Sequence, residues 1–343
     1  MAIAQSNHKY ILSVISAYWF VSISMVYLNK VLMSSEEVSI NAPLFVTWFQ
    51  CVITCIICMI AGKMGERYNK LPVSSGDISE KSFWSQFPKA EYHTSVGMRV
   101  LPLSVVFVGM ITFNNLCLKW VEVSFYNVAR SLTLVFNVFF SYAMLGITSS
   151  NRTMLCLGVV ICGFFIGSSG EMNFSVNGSL AGICSSLFVS LNSIFTKKIL
   201  PVVEDNHWKL TYYNNCNAVI LFTPLILFFE LPVLAASLDK QLMSGLFWGA
   251  MCVAGVFGFS IGIVTVLQIK ATSPLTHNIS GTAKAAVQSI MAFYIWKNEP
   301  TLKGIIGIVF VLGGSLLYTL VKMGEGRKRA KGGQASTELK GSK

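Results

Sequence analysis

The fold is decided by the stretch Pro274-Leu-Thr-His-Asn-Ile-Ser-Gly-Thr-Ala-Lys284-Ala-Ala-Val-Gln-Ser-Ile-Met-Ala-Phe-Tyr-Ile-Trp296. A helix of about 20 residues crosses a bilayer, and this stretch is long enough and carries one charge, Lys284. At the rise of an α-helix, Lys284 lies about 15 Å into the span, close to the bilayer midplane. A cation at that depth costs about 3 kcal/mol. We therefore expect an anion, either a protein carboxylate or a ligand, to compensate it.

The composition of the whole chain is that of a membrane protein. Of its 343 residues, 53% are hydrophobic and only 12% are charged, whereas a soluble protein has about 25% charged residues. The apolar runs predict an all-α membrane protein with ten transmembrane helices embedded in the lipid bilayer. The ten predicted spans are 10–33, 42–62, 100–119, 123–147, 151–169, 176–199, 208–231, 243–268, 274–297 and 300–323. Outside them, we predict a cytosolic N-terminus at 1–9, a charged cytosolic loop at 63–99 and a disordered basic cytosolic tail at 324–343.

The positive charges predict the orientation of the chain. With ten spans both termini lie on one side, and that side holds 19 of the 26 lysines and arginines. The opposite side holds five, and Arg130 and Lys284 lie within spans. The positive-inside rule then places both termini in the cytosol. The net charge of +11 is thus an orientation signal, and we expect no nucleic-acid partner.

Several functions are disfavoured by what the spans contain. All nine cysteines fall in apolar runs, where small buried side chains are the expectation and metal binding or disulfides the alternative. No Asp or Glu lies at the centre of a span, which argues against a proton-driven antiporter. No phosphate-binding glycine loop, metal-spaced cluster or Ser/His/Asp triad is present. We expect that the protein binds no metal and no cofactor and that it is not an enzyme.

The chain repeats itself in two halves, 10–169 and 170–323. Each half has five spans, so the halves must be inserted in opposite senses, which is an architecture of transporters with a site near the midplane. Pairs of glycines four residues apart favour close helix packing. The positions that align at an offset of 149 residues include Gly109 with Gly258, Leu118 with Leu267 and Ser131 with Ser280, and the glycine pairs are Gly163/Gly167, Gly245/Gly249 and Gly258/Gly262.

Two polar segments are candidates for binding. The span at 208–231 opens with Tyr212, Tyr213, Asn214 and Asn215. An amide offers a donor and an acceptor together, which suits the edge of guanine, and tyrosine offers a stacking face. Hydrogen bonding between helices or helix capping is the alternative. The first half of the span at 274–297 is the second segment, where Lys284 would meet a diphosphate as a point charge; its other candidates are His277, Asn278, Ser280, Gly281 and Thr282.

Further polar residues lie in the first half of the chain. Arg130 is either a second contact for an anion or a side chain that reaches backbone carbonyls and the membrane surface. Lys30 lies near the end of a span, where a lysine reaches water easily. The remaining candidates are Asn114, Asn115 and Tyr27.

These motifs resemble those of the nucleotide-sugar transporter family of the drug/metabolite transporter superfamily, from Tyr10 to about Lys322. The segment Thr211-Tyr-Tyr-Asn-Asn215 is similar to the Phe-Tyr-Asn-Asn motif of carriers of guanosine-diphosphate sugars, with Tyr212 in the place of Phe. Ser280-Gly-Thr-Ala-Lys284 occupies the place of their Gly-Ala-Leu-Asn-Lys motif, and the lysine matches in register. Leu-Thr-His-Asn-Ile-Ser-Gly-Thr-Ala-Lys and Ala-Arg-Ser-Leu-Thr-Leu-Val-Phe-Asn-Val resemble the branch for GDP-fucose more closely than the branch for GDP-mannose.

The resemblance implies a multi-pass Golgi membrane protein that exchanges cytosolic GDP-fucose for luminal GMP, with a homodimer left open. Three alternatives remain at this point. One is a carrier of GDP-mannose or another phosphate ester in the same fold. The second is a membrane scaffold or receptor that transports nothing. The third is an exporter of cationic drugs, which a cationic site without carboxylates disfavours.

Overall fold

A computed structural model gives the fold of the chain. The structure describes residues 2–34, 40–70, 87–146, 148–169, 175–237, 242–272, 274–296 and 301–341. Within these ranges the regular secondary structure is entirely helical. The α-helices are α1 (Ala2–Ser34), α2 (Pro43–Lys70), α3 (Thr94–Trp120), α4 (Val123–Ser131), α5 (Thr133–Leu145), α6 (Asn151–Ser169), α7 (Val176–Ile199), α8 (His207–Phe229), α9 (Leu231–Ala236), α10 (Gly245–Ala271), α11 (Pro274–Trp296) and α12 (Leu302–Gly341), with a 3-10 helix at Leu200–Val203 between α7 and α8.

The helices match the predicted membrane spans. Among the residues that the structure describes, nine helical stretches are long and apolar enough to cross a membrane. The tenth predicted span, 274–297, forms α11, whose 23 residues also reach across a bilayer of about 30 Å. The prediction of an all-helical membrane protein is confirmed.

The predicted span at 123–147 is broken into two helices. Leu132 separates α4 from α5, and its backbone N–H bonds to the carbonyl of Ala129 at 3.2 Å instead of continuing the α-helical pattern. The hydroxyl of Ser131 donates to the carbonyl of Val128 at 2.7 Å, a local bond that often bends a helix. Arg130 lies in the last turn before this break.

The C-terminal tail differs from the prediction. Helix α12 continues to Gly341, whereas the sequence predicted disorder from Gly324 onward. Alanine, lysine, arginine, glutamate and glutamine favour helices and make up ten of residues 324–341, against five glycines, which disfavour them. At its start, Glu325 accepts a hydrogen bond from Thr153 at 3.2 Å and one from Ser150, which ties α12 to the first turn of α6.

The chain divides into two compact units. Unit 1 comprises residues 1–19, 121–179 and 265–343, and unit 2 comprises 20–120 and 180–264. Each unit therefore combines helices from the first half of the sequence with helices from the second half. The relation of the two halves as inverted repeats stays a prediction.

Unit 1 is built on a close contact between α6 and α12. A Cβ added to Gly163 would lie 2.8 Å from the backbone nitrogen of Val311, and one added to Gly307 would clash with the backbone of Gly167. The first predicted glycine pair thus lies at a close helix contact. The other predicted pairs do not. Among the described residues, nothing lies within 4 Å of a Cβ added to Gly245, Gly249 or Gly262, and Gly258 meets only a methionine side chain.

In unit 2, the carboxylate of Glu230 connects two helices by hydrogen bonds. Its two oxygens accept hydrogen bonds from the backbone nitrogens of Leu44 at 2.9 Å and Phe45 at 2.8 Å. These amides belong to the first turn of α2, whose N–H groups have no partner inside the helix. Burial raises the pKa of Glu230, and the two N–H groups oppose that change. The carboxylate therefore joins the end of α8 to the start of α2.

Candidate functional site

Two positive charges lie close together within unit 1. Lys284, on α11, is half-buried, and its ammonium group lies 5.8 Å from the ring centre of Tyr18 on α1. Arg130, at the end of α4, is close enough to Lys284 for the two charges to repel each other. Like charges gathered inside a bundle favour the arrival of an anion.

A tyrosine ring lies next to each of these two cations. Arg130 donates a hydrogen bond from Nη1 to the hydroxyl of Tyr126 at 2.7 Å, and its guanidinium lies 5.9 Å from the centre of the same ring. Tyr126 and Tyr18 are both buried, whereas the side chain of Arg130 is exposed. The partner of Arg130 is therefore a neutral phenol, and its remaining N–H groups have room for an anion. We name Tyr18, Tyr126, Arg130, Ser280 and Lys284 the cationic cluster.

Ser280 is held in place by two donors. The indole N–H of Trp19 donates to Ser280 Oγ at 2.8 Å, and the amide of Gln268 donates to the same oxygen at 2.9 Å. A hydroxyl that accepts two bonds still has its own proton to donate. Ser280 is buried one turn before Lys284 on α11, so its orientation is set next to the cations.

The other predicted residues of α11 differ in how they are placed. A Cβ added to Gly281 would lie 3.9 Å from the hydroxyl of Tyr18, an ordinary contact, so packing does not require glycine there. Thr282 is half-buried. His277 and Asn278 lie in the helix, but their side chains fall outside what the structure describes.

Helix α4 is fixed against α11 by an amide. Asn127 donates from Nδ2 to the hydroxyl of Ser289 at 3.0 Å and approaches the carbonyl of Ala285 at 3.5 Å. Asn127 and Ser289 are both buried. This bond holds the two helices that carry Arg130 and Lys284 in a fixed register.

The polar turn of α8 lies in unit 2 and fastens the segment before α3. The hydroxyl of Tyr213 donates to the carbonyl of Glu91 at 2.9 Å and accepts from the backbone nitrogen of His93 at 3.1 Å. The rings of Tyr213 and Tyr92 pack with centroids 5.3 Å apart. The hydroxyl of Tyr92 donates to Asn217 Oδ1 at 2.7 Å. We call these contacts the tyrosine clasp.

The three asparagines of this turn have three different environments. Asn217 uses both its oxygen and its nitrogen in hydrogen bonds. Its oxygen accepts from Tyr92, and its nitrogen donates to the carbonyl of Gly97 at 2.9 Å and to Ser104 at 3.1 Å. Asn215 donates to the carbonyl of Thr211 in its own helix at 2.8 Å. Asn214 is buried, and its Oδ1 has no hydrogen-bond partner among the residues that the structure describes. Of the predicted base-reading amides, Asn214 thus has a buried acceptor that no described residue uses.

A cavity of about 340 Å³ lies beside the clasp, also within unit 2. Tyr212 and Tyr213 line it, together with Trp208 and the charged residues Lys89 and Lys209. The two predicted tyrosines therefore face this cavity, and Asn214 and Asn215 are absent from its lining. No pattern in the sequence indicated that the segment before α3 would complete this cavity.

The predicted candidates of α1 and α3 are mostly engaged in unit 2. Lys30 donates to the backbone carbonyl of Leu118 at 2.6 Å. Asn114 accepts from Ser185 at 3.2 Å, Asn115 donates to Thr47 at 2.7 Å, and Tyr27 is half-buried. These bonds join helices within unit 2, and the bond of Lys30 to a carbonyl differs from the expectation that its side chain reaches water.

Sequence reasoning missed the phenols of the cationic cluster and the donors to Ser280. Tyr18, Trp19 and Tyr126 lie in apolar runs, where aromatic residues are the ordinary filling of a helix bundle. Gln268 is a buried amide near the end of a span, and a polar side chain at that depth was the available signal.

An all-helical membrane bundle whose two neighbouring cations lie next to phenols and a hydroxyl has the features of a carrier for anionic solutes. The chain belongs to the Triose-phosphate Transporter family, whose sequence pattern matches residues 10–319. It is therefore a membrane transporter and not an enzyme.

Relatives with known names are similar over nearly the whole chain. The protein named GDP-fucose transporter 1 of Monosiga brevicollis is 49% identical over 91% of this chain and 90% of its own. The protein named GDP-fucose transporter, Golgi, of Drosophila melanogaster is 39% identical over 90% of this chain and 89% of its own. A solved structure named only "Crystal structure of protein" has a TM-score of 0.52 at 15% identity, over 89% of this chain and 97% of its own, and supports the fold alone.

Proposed function

We propose that this protein carries GDP-fucose across the Golgi membrane into the lumen in exchange for GMP. The observation that carries the proposal is the cationic cluster, in which Arg130 and Lys284 lie close enough to repel each other. The names of the relatives in Monosiga and Drosophila support the solute and the compartment. Both termini face the cytosol in this proposal, as the distribution of lysine and arginine favours.

The cluster binds the phosphate groups of the nucleotide in this proposal. Lys284 acts as a point charge, and Arg130 offers a planar set of N–H donors next to Tyr126. The hydroxyl proton of Ser280 adds a neutral donor, because its oxygen already accepts from Trp19 and Gln268. Both GDP-fucose and GMP carry negative phosphate charge, so one cluster serves the incoming and the outgoing solute.

Within unit 2, a contact with guanine is proposed for Asn214. Its buried carbonyl oxygen, which has no hydrogen-bond partner among the described residues, is an acceptor suited to the N–H groups of guanine, which uracil lacks in that arrangement. Asn215 is a secondary candidate, because its amide already bonds to its own helix. Substitution of Asn214 by alanine should reduce the preference for guanine over uracil more than it reduces the maximal rate.

Exchange follows from the same charges. A bound anion offsets the repulsion between Arg130 and Lys284, so the loaded carrier should change its orientation faster than the empty one. This accounts for transport without a proton-binding carboxylate in a span. GMP on the opposite side should then accelerate uptake of GDP-fucose.

The decisive experiment is uptake into vesicles that hold the purified protein. Labelled GDP-fucose, GDP-mannose and UDP-galactose are compared, with vesicles either empty or loaded with GMP. We expect uptake of GDP-fucose above the other two and a clear stimulation by internal GMP. Equal uptake into empty and loaded vesicles would refute exchange, and a preference for GDP-mannose would refute the assigned sugar.

A further inference from the structure

The cavity of unit 2 lies beside the ends of candidate membrane spans. Most of its walls come from residues 87–96, 202–204 and the first two turns of α8, and Cys58 of α2 completes them. Helices α3 and α8 are both candidate membrane spans. The walls at 87–93 directly precede α3, and those at 202–204 precede α8. The cavity thus opens beside the headgroup layer and not at the bilayer centre.

The side chains in the interior of the cavity are apolar, and those at its rim carry both positive and negative charges. Trp208, Tyr212 and Val203 supply an aromatic and aliphatic interior. At the rim, Lys209 pairs with Glu204 at 2.6 Å and Lys89 pairs with Glu91 at 2.5 Å. The two lysines and two carboxylates cancel, so this cavity lacks the excess positive charge that a nucleotide would need.

The tyrosine clasp holds these walls in place before any ligand enters the cavity. Tyr213, which lines the cavity, holds Glu91 and His93 through their backbone groups. The ring of Trp208 is packed against Phe87 with centroids 4.8 Å apart. A cavity whose walls are already fixed loses little conformational entropy when a ligand enters.

We propose that this cavity binds the headgroup of a zwitterionic phospholipid, such as phosphatidylcholine. The phosphate would approach Lys89 and Lys209, and the ammonium group would approach Glu204 and the aromatic rings, which attract quaternary ammonium groups. The volume of about 340 Å³ lies within the usual range of ligand pockets. The proposal is independent of which solute the protein carries.

The test uses the fluorescence of Trp208 in the full-length protein in lipid nanodiscs. Phosphatidylcholine with bromine near the glycerol end of one acyl chain is titrated into a phosphatidylglycerol background, and brominated phosphatidylglycerol into a phosphatidylcholine background. The contribution of Trp208 is the emission of wild type minus that of Trp208→Phe. We expect brominated phosphatidylcholine to reach half-maximal quenching at about a tenfold lower mole fraction, the ratio given by about 1.4 kcal/mol.

Two variants separate the headgroup site from general contact with lipid. Glu204→Gln with Lys209→Gln keeps the size of the rim and removes one ion pair, and it should abolish the preference. Lys303→Gln removes an exposed charge at the start of α12 in unit 1 and should leave the preference unchanged. Soluble phosphocholine should shift the quenching curve of brominated phosphatidylcholine to higher mole fractions.

Three results would overturn the proposal. The first is equal quenching by both brominated lipids. The second is a preference that survives in the Glu204→Gln, Lys209→Gln variant while that variant elutes as a folded protein. The third is binding of soluble phosphocholine without preferential quenching by the brominated lipid, which would assign the cavity to a soluble ligand.

Discussion

Replacing Lys284 by methionine tests the cationic cluster most directly. Methionine has a similar length and can keep the contact with the ring of Tyr18, so the change removes charge with little loss of packing. A unit charge about 4 Å from a phosphate charge gains about 4 kcal/mol at an effective dielectric constant of 20. After desolvation, a hydrogen bond to a charged group contributes about 1.5–3 kcal/mol.

These values predict a loss of about 10- to 100-fold in affinity for GMP. The lower end is expected, because the charge of Arg130 no longer meets repulsion from Lys284 and binds the phosphate better. Affinity is measured as the concentration of GMP that gives half-maximal thermal stabilisation of the purified protein. Lys303→Met, which changes an exposed lysine at the start of α12, is the matched control.

The same variant tests the link between charge and exchange. Removing one of two repelling cations should make reorientation of the empty carrier easier, so stimulation of uptake by internal GMP should fall toward none. The double variant Lys284→Met, Arg130→Gln should lose more affinity than the sum of the two single losses, because neither cation remains to compensate for the other. An affinity for GMP that is the same in wild type and Lys284→Met would show that the cluster does not hold the phosphate.

Three further substitutions address the fold. Gly307→Ala places a Cβ against the backbone of α6 and should cost about 1–3 kcal/mol, seen as a lower unfolding temperature; Gly313→Ala, with nothing within 4 Å, should not lower it. Glu230→Ala leaves two N–H groups of α2 without their acceptor, at about 1–3 kcal/mol each. Burial raises the pKa of Glu230 above its ordinary 4.5. The difference in unfolding free energy between wild type and Glu230→Ala should therefore be largest below about pH 4.5 and should shrink as the pH rises through the raised pKa. Tyr213→Phe removes the bonds to Glu91 and His93 and should cost about 1–2 kcal/mol; an equal effect of Tyr142→Phe, whose ring is 63% exposed, would argue against the clasp.

The sequence predicted the helices well because membrane spans depend on length and hydropathy, both of which are local. The break at Leu132 was missed because it depends on a hydroxyl bond of Ser131 within an otherwise continuous apolar run. The glycine pairs show the same limit. Gly163 and Gly167 meet α12, whereas Gly245 and Gly249 have the same spacing without a neighbour. Spacing alone does not reveal which face of a helix is covered.

The candidate site was predictable only in part. The depth of Lys284 followed from counting residues, whereas its nearness to Arg130 came from the fold, and the role of both in binding an anion stays a prediction. Tyr18 and Tyr126 could not be assigned, because an aromatic residue in a span has the same appearance whether it packs or binds. Asn214 and Asn217 are identical side chains in one turn, and only their partners distinguish an available carbonyl from a fully bonded amide.

The bond between Glu230 and the start of α2 has a consequence for biosynthesis. Glu230 is synthesised 186 residues after Leu44. At a translation rate of about 5–20 residues per second, about 10 to 40 seconds pass between synthesis of the first turn of α2 and synthesis of its hydrogen-bond acceptor. Unit 1 likewise needs α12 before α6 has its partner. Neither unit can be completed while the first half alone has left the ribosome, so truncated chains should be recognised as unfinished and degraded.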